Sequence, residues 1–206
     1  MFADRAAAGR LLGDRVRQRL ETSSPPIVLG LPRGGVPVAR EVATALACTL
    51  EVLVVRKVGH PGSPEVAYGA LGPDGVVVTT LGEADVPPGA LERIRAHEYN
   101  ELIRRERLYR AGRPALDLRG RCALIVDDGI ATGATASAAV RAARGLGAAE
   151  VVVAVPVAAP DAILSLAVVA DDVIALEAPA AFWAVGQWYR DFTQTTDAEV
   201  LAALGT

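Results

Sequence analysis

The sequence predicts an α/β fold: a central parallel sheet of about five strands with helices on both faces, and a loop and hairpin beside it. Three observations point there. Short Val/Ile/Leu runs recur along the chain and are continuous rather than alternating, the pattern of strands covered on both faces. Segments of helical period lie between them. Turns rich in small residues follow the ends of the runs, as strand-to-helix loops require. With 51% hydrophobic and 22% charged residues, the 206-residue chain has the composition of a globular protein, and it is expected to form a single domain over 1–206. Its core is expected at about 22–178, flanked by the two ends of the chain at 1–21 and 179–206.

Taken in order, residues 4–21 place Ala7, Leu11, Leu12, Val16 and Leu20 at helical spacing among arginines. Pro25 and Pro26 end that helix. Residues 27–31 form a buried strand closed by Pro32-Arg33-Gly34-Gly35, and 36–46 are helical. A β-branched strand covers 50–55 and ends at Arg56-Lys57. Residues 59–64 hold two Gly and two Pro and read as a loop. Runs at 65–71 and 75–81 flank Pro73-Asp74-Gly75, a hairpin pattern. Residues 87–110 predict a long charged helix, in which Arg104, Arg105, Arg107 and Arg110 interleave with Glu101 and Glu106 as a salt-bridged solvated face. After a linker at 113–120 come a third strand (122–126), a helix (134–146), a fourth strand (151–157), a helix (161–169) and a fifth strand (173–176). Residues 178–196 carry both tryptophans. A last helix at 197–204 is capped by Thr196 or Asp197.

The formal net charge of -3 provides no global attraction to nucleic acid or an anionic membrane. The first ten residues are charged and lack the apolar segment of a signal peptide, and the apolar region 151–185 is broken by prolines and acids. A cytoplasmic protein is expected, with Cys48 and Cys122 as free buried thiols. Of the 21 basic residues, Lys57 is the only lysine. A compact ammonium at that place suits a dense anion; a solvated loop residue is the other reading.

The segment Leu124-Ile-Val-Asp-Asp-Gly-Ile-Ala-Thr-Gly-Ala-Thr135 carries the chemistry. A buried strand delivers Asp127 and Asp128 to its carboxyl end. The small-residue turn Ala131-Thr132-Gly133-Ala134-Thr135 then opens a helix. Backbone amides there can approach an anion closely, and the helix N-terminus adds unpaired donors. Two acids beside a phosphate would repel it unless something lies between. Vicinal sugar hydroxyls donate to carboxylates, so a ribose 5-phosphate satisfies both halves. Walker A is excluded because no Lys-Ser/Thr pair follows the turn, and Gly145-Leu-Gly147 precedes a strand, so no dinucleotide fingerprint is present.

This segment resembles the 5-phosphoribosyl-1-pyrophosphate (PRPP) motif of type I phosphoribosyltransferases, and strand and motif order follow that family over about 27–176. The departures are Gly129, where the family often has a larger residue, and Ala134, where it often has glycine. The resemblance implies the type I phosphoribosyltransferase-like fold, with a flexible loop and hairpin and a small hood from 1–21 and 179–206, and Mg2+-dependent transfer of a phosphoribosyl group from PRPP to a base-like acceptor. It implies Asp127 and Asp128 on the ribose hydroxyls, residues 131–135 on the 5-phosphate, and Arg33, Gly34, Arg56 and Lys57 at the pyrophosphate. Lys57, Asp127 and Asp128 are the catalytic candidates. The Mg2+ would ride on PRPP near the acid pair, with few direct protein ligands. Residues 59–81 fall where the family has its mobile loop, with His60 and Glu65 as candidates for proton handling or as plain surface residues. Phe182, Trp183, Gln187 and Trp188 could grip the base; equally, they could seal the core or a dimer contact, since the family is commonly dimeric. A non-catalytic PRPP sensor and a ribose-phosphate hydrolase remain as alternatives. The acceptor is not legible. Asp171-Asp172 precedes a strand and is expected at the opposite sheet edge.

Overall fold

The computed structural model describes residues 1–20, 25–60, 63–73, 77–79, 89–110 and 112–205. In chain order the elements are α1 (Arg5–Arg19), β1 (Ile27–Gly30), α2 (Gly35–Leu46), β2 (Thr49–Val52), β3 (Arg56–His60), β4 (Ser63–Leu71), β5 (Val77–Thr79), α3 (Ala90–Arg110), β6 (Cys122–Val126), α4 (Ala134–Gly145), β7 (Glu150–Val157), α5 (Pro160–Leu166), β8 (Asp172–Glu177) and α6 (Asp197–Leu204). The central sheet has five strands in the order β2-β1-β6-β7-β8, every neighbouring pair parallel. A second, antiparallel sheet has the order β3-β4-β5.

Both faces of the central sheet are buried, and successive residues serve opposite faces. Ala123, Ile125, Val151, Val153 and Val155 join the cluster that includes Ala136, Ala139 and Val140 of α4 and Leu166 of α5. Leu124, Val126, Val152 and Ala154 join the opposite cluster, with Leu12 and Val16 of α1 and Val38 and Val42 of α2. This two-sided burial explains why the strands read as unbroken apolar runs. Because β1 and β6 run parallel, with Gly30 opposite Val126, the β6–α4 and β1–α2 loops leave from one edge of the sheet.

The α1 helix buries Leu12 and Val16 as expected, but small residues rather than Leu11 complete its buried face. Its buried residues are Ala8, Gly9, Leu12, Gly13 and Val16, while Leu11 is exposed. The two glycines let α1 lie directly on α2: a Cβ at Gly9 would stand 2.8 Å from the Val38 carbonyl, and one at Gly13 would stand 2.6 Å from Ala45 Cβ. Small residues at this crossing set the interface, a role that a hydrophobic tally passes over.

The run 50–55 is not one strand. Gly30, the last residue of β1, pairs with Val52, and the chain then turns at 31–34, so β2 has no partner beyond that point. Arg56 begins β3 in the other sheet. The 59–64 loop is correspondingly shorter, with Gly59 and His60 ending β3 and Ser63 and Pro64 opening β4. Val58, Leu71, Leu102, Tyr109 and Val200 form a third cluster joining this small sheet to α3 and α6. The tip residues Asp74 and Gly75, and the side chains of Lys57, His60 and Glu65, lie outside the described residues.

Arg110 does not lie on the expected solvated face: its side chain is largely buried and pairs with Glu51 of β2 at 2.8 Å. Glu101 accepts from Arg104 and Arg105, whose hydrogen bonds hold its carboxyl down at about 2. Asp171 pairs with Arg144 and Asp172 with Arg19, at the start of β8 and so at the opposite edge from the β6–α4 loop. Thr196 caps α6 in a reciprocal box with Glu199. Both cysteines are free; Cys122 is buried and its thiol is pushed up to about 12 by burial, whereas Cys48 is half-buried. No helix among the described residues is long and apolar enough to cross a membrane.

Candidate functional site

Strand β6 ends at Val126, and the next two residues are the acid pair. The chain beyond them is tied to the end of β7: the Ile130 amide donates to the Val157 carbonyl at 2.9 Å, and the Ala159 amide donates to the Ile130 carbonyl at 2.9 Å. Residues 131–133 are thereby held at the carboxyl edge of the sheet, where α4 begins. Gly133 precedes that helix with φ 77°, a left-handed conformation that favours glycine, and offers no side-chain cap. The first-turn amides are therefore left for a ligand or water. The Ala134 amide makes a long contact there, 3.5 Å to Thr132 Oγ1.

This bend lines a cavity of about 200 Å³. Its walls are Asp127, Gly129, Ile130, residues 131–136 and Val185. The turn Val185–Trp188 brings Val185 over Gly129, where an added Cβ would stand 2.4 Å from Val185 Cγ1. Asp127 and the 131–135 turn thus share one concavity.

The loop after β1 crosses directly behind the acid pair. The Leu31 amide donates to the Val126 carbonyl at 3.0 Å. A Cβ on Gly35 would stand 2.6 Å from that same carbonyl, and a Cβ on Gly34 would stand 2.1 Å from Asp128 Oδ2. Only glycine fits this approach. The loop contains a cis peptide between Pro32 and Arg33. Arg33 sits 3.6 Å from Asp197 at the start of α6, and Tyr109 donates to the same carboxylate at 2.6 Å.

The two aspartates differ in their surroundings. Asp128 Oδ2 accepts from Arg5 Nε at 2.8 Å, with both side chains largely buried. The Tyr189 hydroxyl donates to the Asp128 backbone carbonyl. Asp127 Oδ1 accepts from the Asp128 amide at 2.9 Å. Burial pushes the Asp127 carboxyl well above the usual carboxylate range, and the neighbouring Asp128 pushes it further. Burial also raises Asp128, with the Arg5 hydrogen bond and charge opposing.

Other candidates are dispersed. Arg56 pairs with Glu98 of α3 at 2.6 Å, so its charge is engaged by that helix. Lys57 lies in β3, its backbone paired with Ala70. Phe182 and Trp188 pack onto a cluster built on Phe2, Val157 and Tyr189, whereas Trp183 is 88% exposed. Gln187 is exposed and donates to the Ala181 carbonyl at 3.4 Å. No group of three or more His, Cys, Asp or Glu converges to hold a metal among the described residues. Arg5, Tyr189 and Val185 were not visible as site residues in the sequence. Arg5 lies 123 positions from its partner, and nothing local marks it.

A family model described as the phosphoribosyl transferase domain matches residues 3–187. Mycobacterium tuberculosis proteins from strains CDC 1551 and H37Rv, each provisionally named a phosphoribosyl transferase, are 50% identical to this chain over 207 residues. The match takes in 99% of this chain and 46% of theirs, so the chain spans about half the length of the curated relatives it matches. The crystal structure of TT1426 from Thermus thermophilus superposes with a TM-score of 0.90 at 45% identity, covering 98% of this chain and 97% of that one. An all-parallel five-stranded sheet, a family match across most of its length and relatives half identical to it place this chain in the phosphoribosyl transferase domain family.

Proposed function

We propose that the chain transfers the 5-phosphoribosyl group of PRPP to a nitrogenous base or similar nucleophile and releases pyrophosphate. The observation that carries this reading is the shared cavity of Asp127 and the 131–135 bend, with the Arg33–Gly34–Gly35 loop packed behind it. In the reaction, the bond from ribose C1 to the pyrophosphate oxygen breaks and its electron pair leaves with pyrophosphate. The acceptor nitrogen forms the new bond to C1 and gives up its proton to solvent or to a base on the substrate.

On this reading the amides and hydroxyls of Ala131, Thr132, Gly133, Ala134 and Thr135 hold the 5-phosphate, which the α4 N-terminus favours electrostatically. Asp127 and Asp128 accept from the ribose hydroxyls and hold the sugar in register. The Arg33–Gly34 loop and Lys57 meet the pyrophosphate, and Arg56 joins them by exchanging its Glu98 partner. Trp183, with Phe182, Gln187 and Trp188 around it, offers an exposed ring to a planar acceptor.

On this reading a Mg2+ is carried by the diphosphate near the carboxylate pair. Asp127 and Asp128 would flank it, and when bound it would neutralise charge on the departing pyrophosphate. We assign the chain to one domain acting on small molecules, without nucleic acid or membrane, in the cytoplasm; a homodimer follows family habit.

Isothermal titration with PRPP and Mg2+ tests the reading. Binding is expected in the wild type and its loss in Asp127→Asn/Asp128→Asn. No binding, or binding unchanged in the double variant, refutes it. Pyrophosphate release measured across a panel of bases then separates transfer from a PRPP sensor, and phosphate release without any base would favour a hydrolase.

A further inference from the structure

We propose that Arg5 is the positioning residue of this site: it fixes the Asp128 carboxylate so that the acid is aimed at the hydroxyls of a ribose 5-phosphate held by the 131–135 bend. The inference rests on the phosphoribosyl reading and adds a residue to it.

Arg5 is held at three points. Its Nε donates to Asp128 Oδ2 at 2.8 Å, one terminal nitrogen donates to the Thr193 carbonyl at 2.7 Å, and its guanidinium carbon lies 4.0 Å from the centroid of the Phe192 ring. A planar group with two directed hydrogen bonds and a stacking partner has one orientation, unlike an ammonium, which would act as a point charge. Its side chain is 12% exposed and that of Asp128 is 14% exposed, so water competes little for the contact.

The supports of Arg5 come from both ends of the chain. The Phe2 amide donates to the Trp188 carbonyl at 2.7 Å, the Arg190 amide to the Phe2 carbonyl at 2.9 Å, and the Asp191 amide to the Ala3 carbonyl at 3.0 Å. The segment before α1 is thus laced to residues 188–191. Tyr189, in the same lacing, donates to the Asp128 backbone carbonyl, so the acid is held by side chain and main chain together. Asp127 meets no cation at hydrogen-bond distance among the described residues, but lines the cavity with the bend. A single guanidinium bonded to one acid of two makes them unequal: Asp127 answers to the ligand, and Asp128 answers first to Arg5.

The rival role is stapling, in which Arg5 joins α1 to the hood and Asp128 is only its counter-ion. Two ligands separate the roles: ribose 5-phosphate, and tetrahydrofurfuryl phosphate, which has the ring and phosphate but no ring hydroxyls. Their affinities are measured by isothermal titration on the full chain for wild type, Arg5→Met, Arg5→Lys, Asp128→Asn and Arg5→Met/Asp128→Asn. Wild type is expected to prefer the ribose ligand. Arg5→Met should weaken ribose 5-phosphate by about tenfold, the scale of one charge-assisted hydrogen bond, and leave the hydroxyl-free ligand within about twofold. Arg5→Lys should recover part of the preference, and Arg5→Met should change nothing further once Asp128 is Asn.

Equal weakening of both ligands, an unchanged preference, or a further loss in the double variant overturns the inference and leaves the site reading standing. If Arg5→Met does not fold, Arg5→Lys decides: a reduced preference supports positioning, and a wild-type preference overturns it. Wild-type protein that binds neither ligand sinks the phosphoribosyl reading itself, and this inference with it.

Discussion

Replacing Gly34 by alanine tests how closely the β1–α2 loop and the acid pair depend on each other. The backbone at Gly34 is already helical, with φ -60° and ψ -32°, so alanine meets no conformational penalty and should gain about 0.4–1 kcal/mol from a stiffer unfolded chain. The new methyl, however, would stand 2.1 Å from Asp128 Oδ2, 2.7 Å from its Cγ and 3.3 Å from Arg5 Nε. The carboxylate cannot tolerate that approach and must retreat by about 1 Å, or the loop must lift. Either movement strains the Arg5 contact. Overpacking of this kind costs about 1–3 kcal/mol, so Gly34→Ala should be net destabilising by about 1–2 kcal/mol, or roughly 2–8 °C in Tm for a chain of this size. Thermal denaturation followed by circular dichroism measures the stability, and titration with pyrophosphate and Mg2+ measures the site. Gly120→Ala is the control. Gly120 has φ 68° with nothing within 4 Å of an added Cβ, and it precedes β6 at the far edge of the sheet. It should lose about 1 kcal/mol to backbone strain yet keep full ligand affinity. Gly34→Ala with wild-type Tm and wild-type affinity would refute the packing reasoning.

Two further outcomes concern the acid pair and the tryptophans. Burial, then Asp128, raises the Asp127 carboxyl, and a raised acid adds stability that is complete below its unfolded value of about 4 and is lost as pH climbs through the folded value. Asp127→Asn should therefore stabilise the ligand-free protein at neutral pH, with the gain shrinking toward pH 4, while abolishing ribose 5-phosphate binding; urea titrations showing no pH-dependent difference would contradict this. Trp183→Ala should leave stability within about 0.5 kcal/mol but raise the KM for the acceptor, whereas Trp188→Ala should cost about 2–4 kcal/mol because its ring packs with Phe182 against the Phe2–Tyr189 cluster. Equal stability losses for the two would show that Trp183 is a packing residue.

The parallel sheet and its loops were legible because they depend on near neighbours in sequence. Cys122–Val126 has the observed bounds of β6: a short apolar run closed by an acid pair and a small-residue turn has the length and flanks of a strand covered on both sides. The α4 start was legible from the Gly-Thr turn, because the left-handed Gly133 is a local requirement of chain geometry. The 50–55 run misled for the opposite reason: its length depended on a partner, β1, that stops at Gly30. The Gly9 and Gly13 crossing was hidden because close packing of helices is read from what is absent at a Cβ.

From the order of its residues alone, this chain declared an α/β layer architecture, the position of its acid doublet and the bend that follows. Periodicity and turn chemistry act over a few residues, so they survive in one dimension. Tertiary structure decided which acid would be tied down and by what. Arg5, Thr193, Phe192 and Tyr189 come from the two ends of the chain and meet at Asp128 only because the Phe2–Trp188 pairing brings those ends together. The unequal environments of Asp127 and Asp128 are a property of that meeting, since burial and ion pairing depend on distance in space.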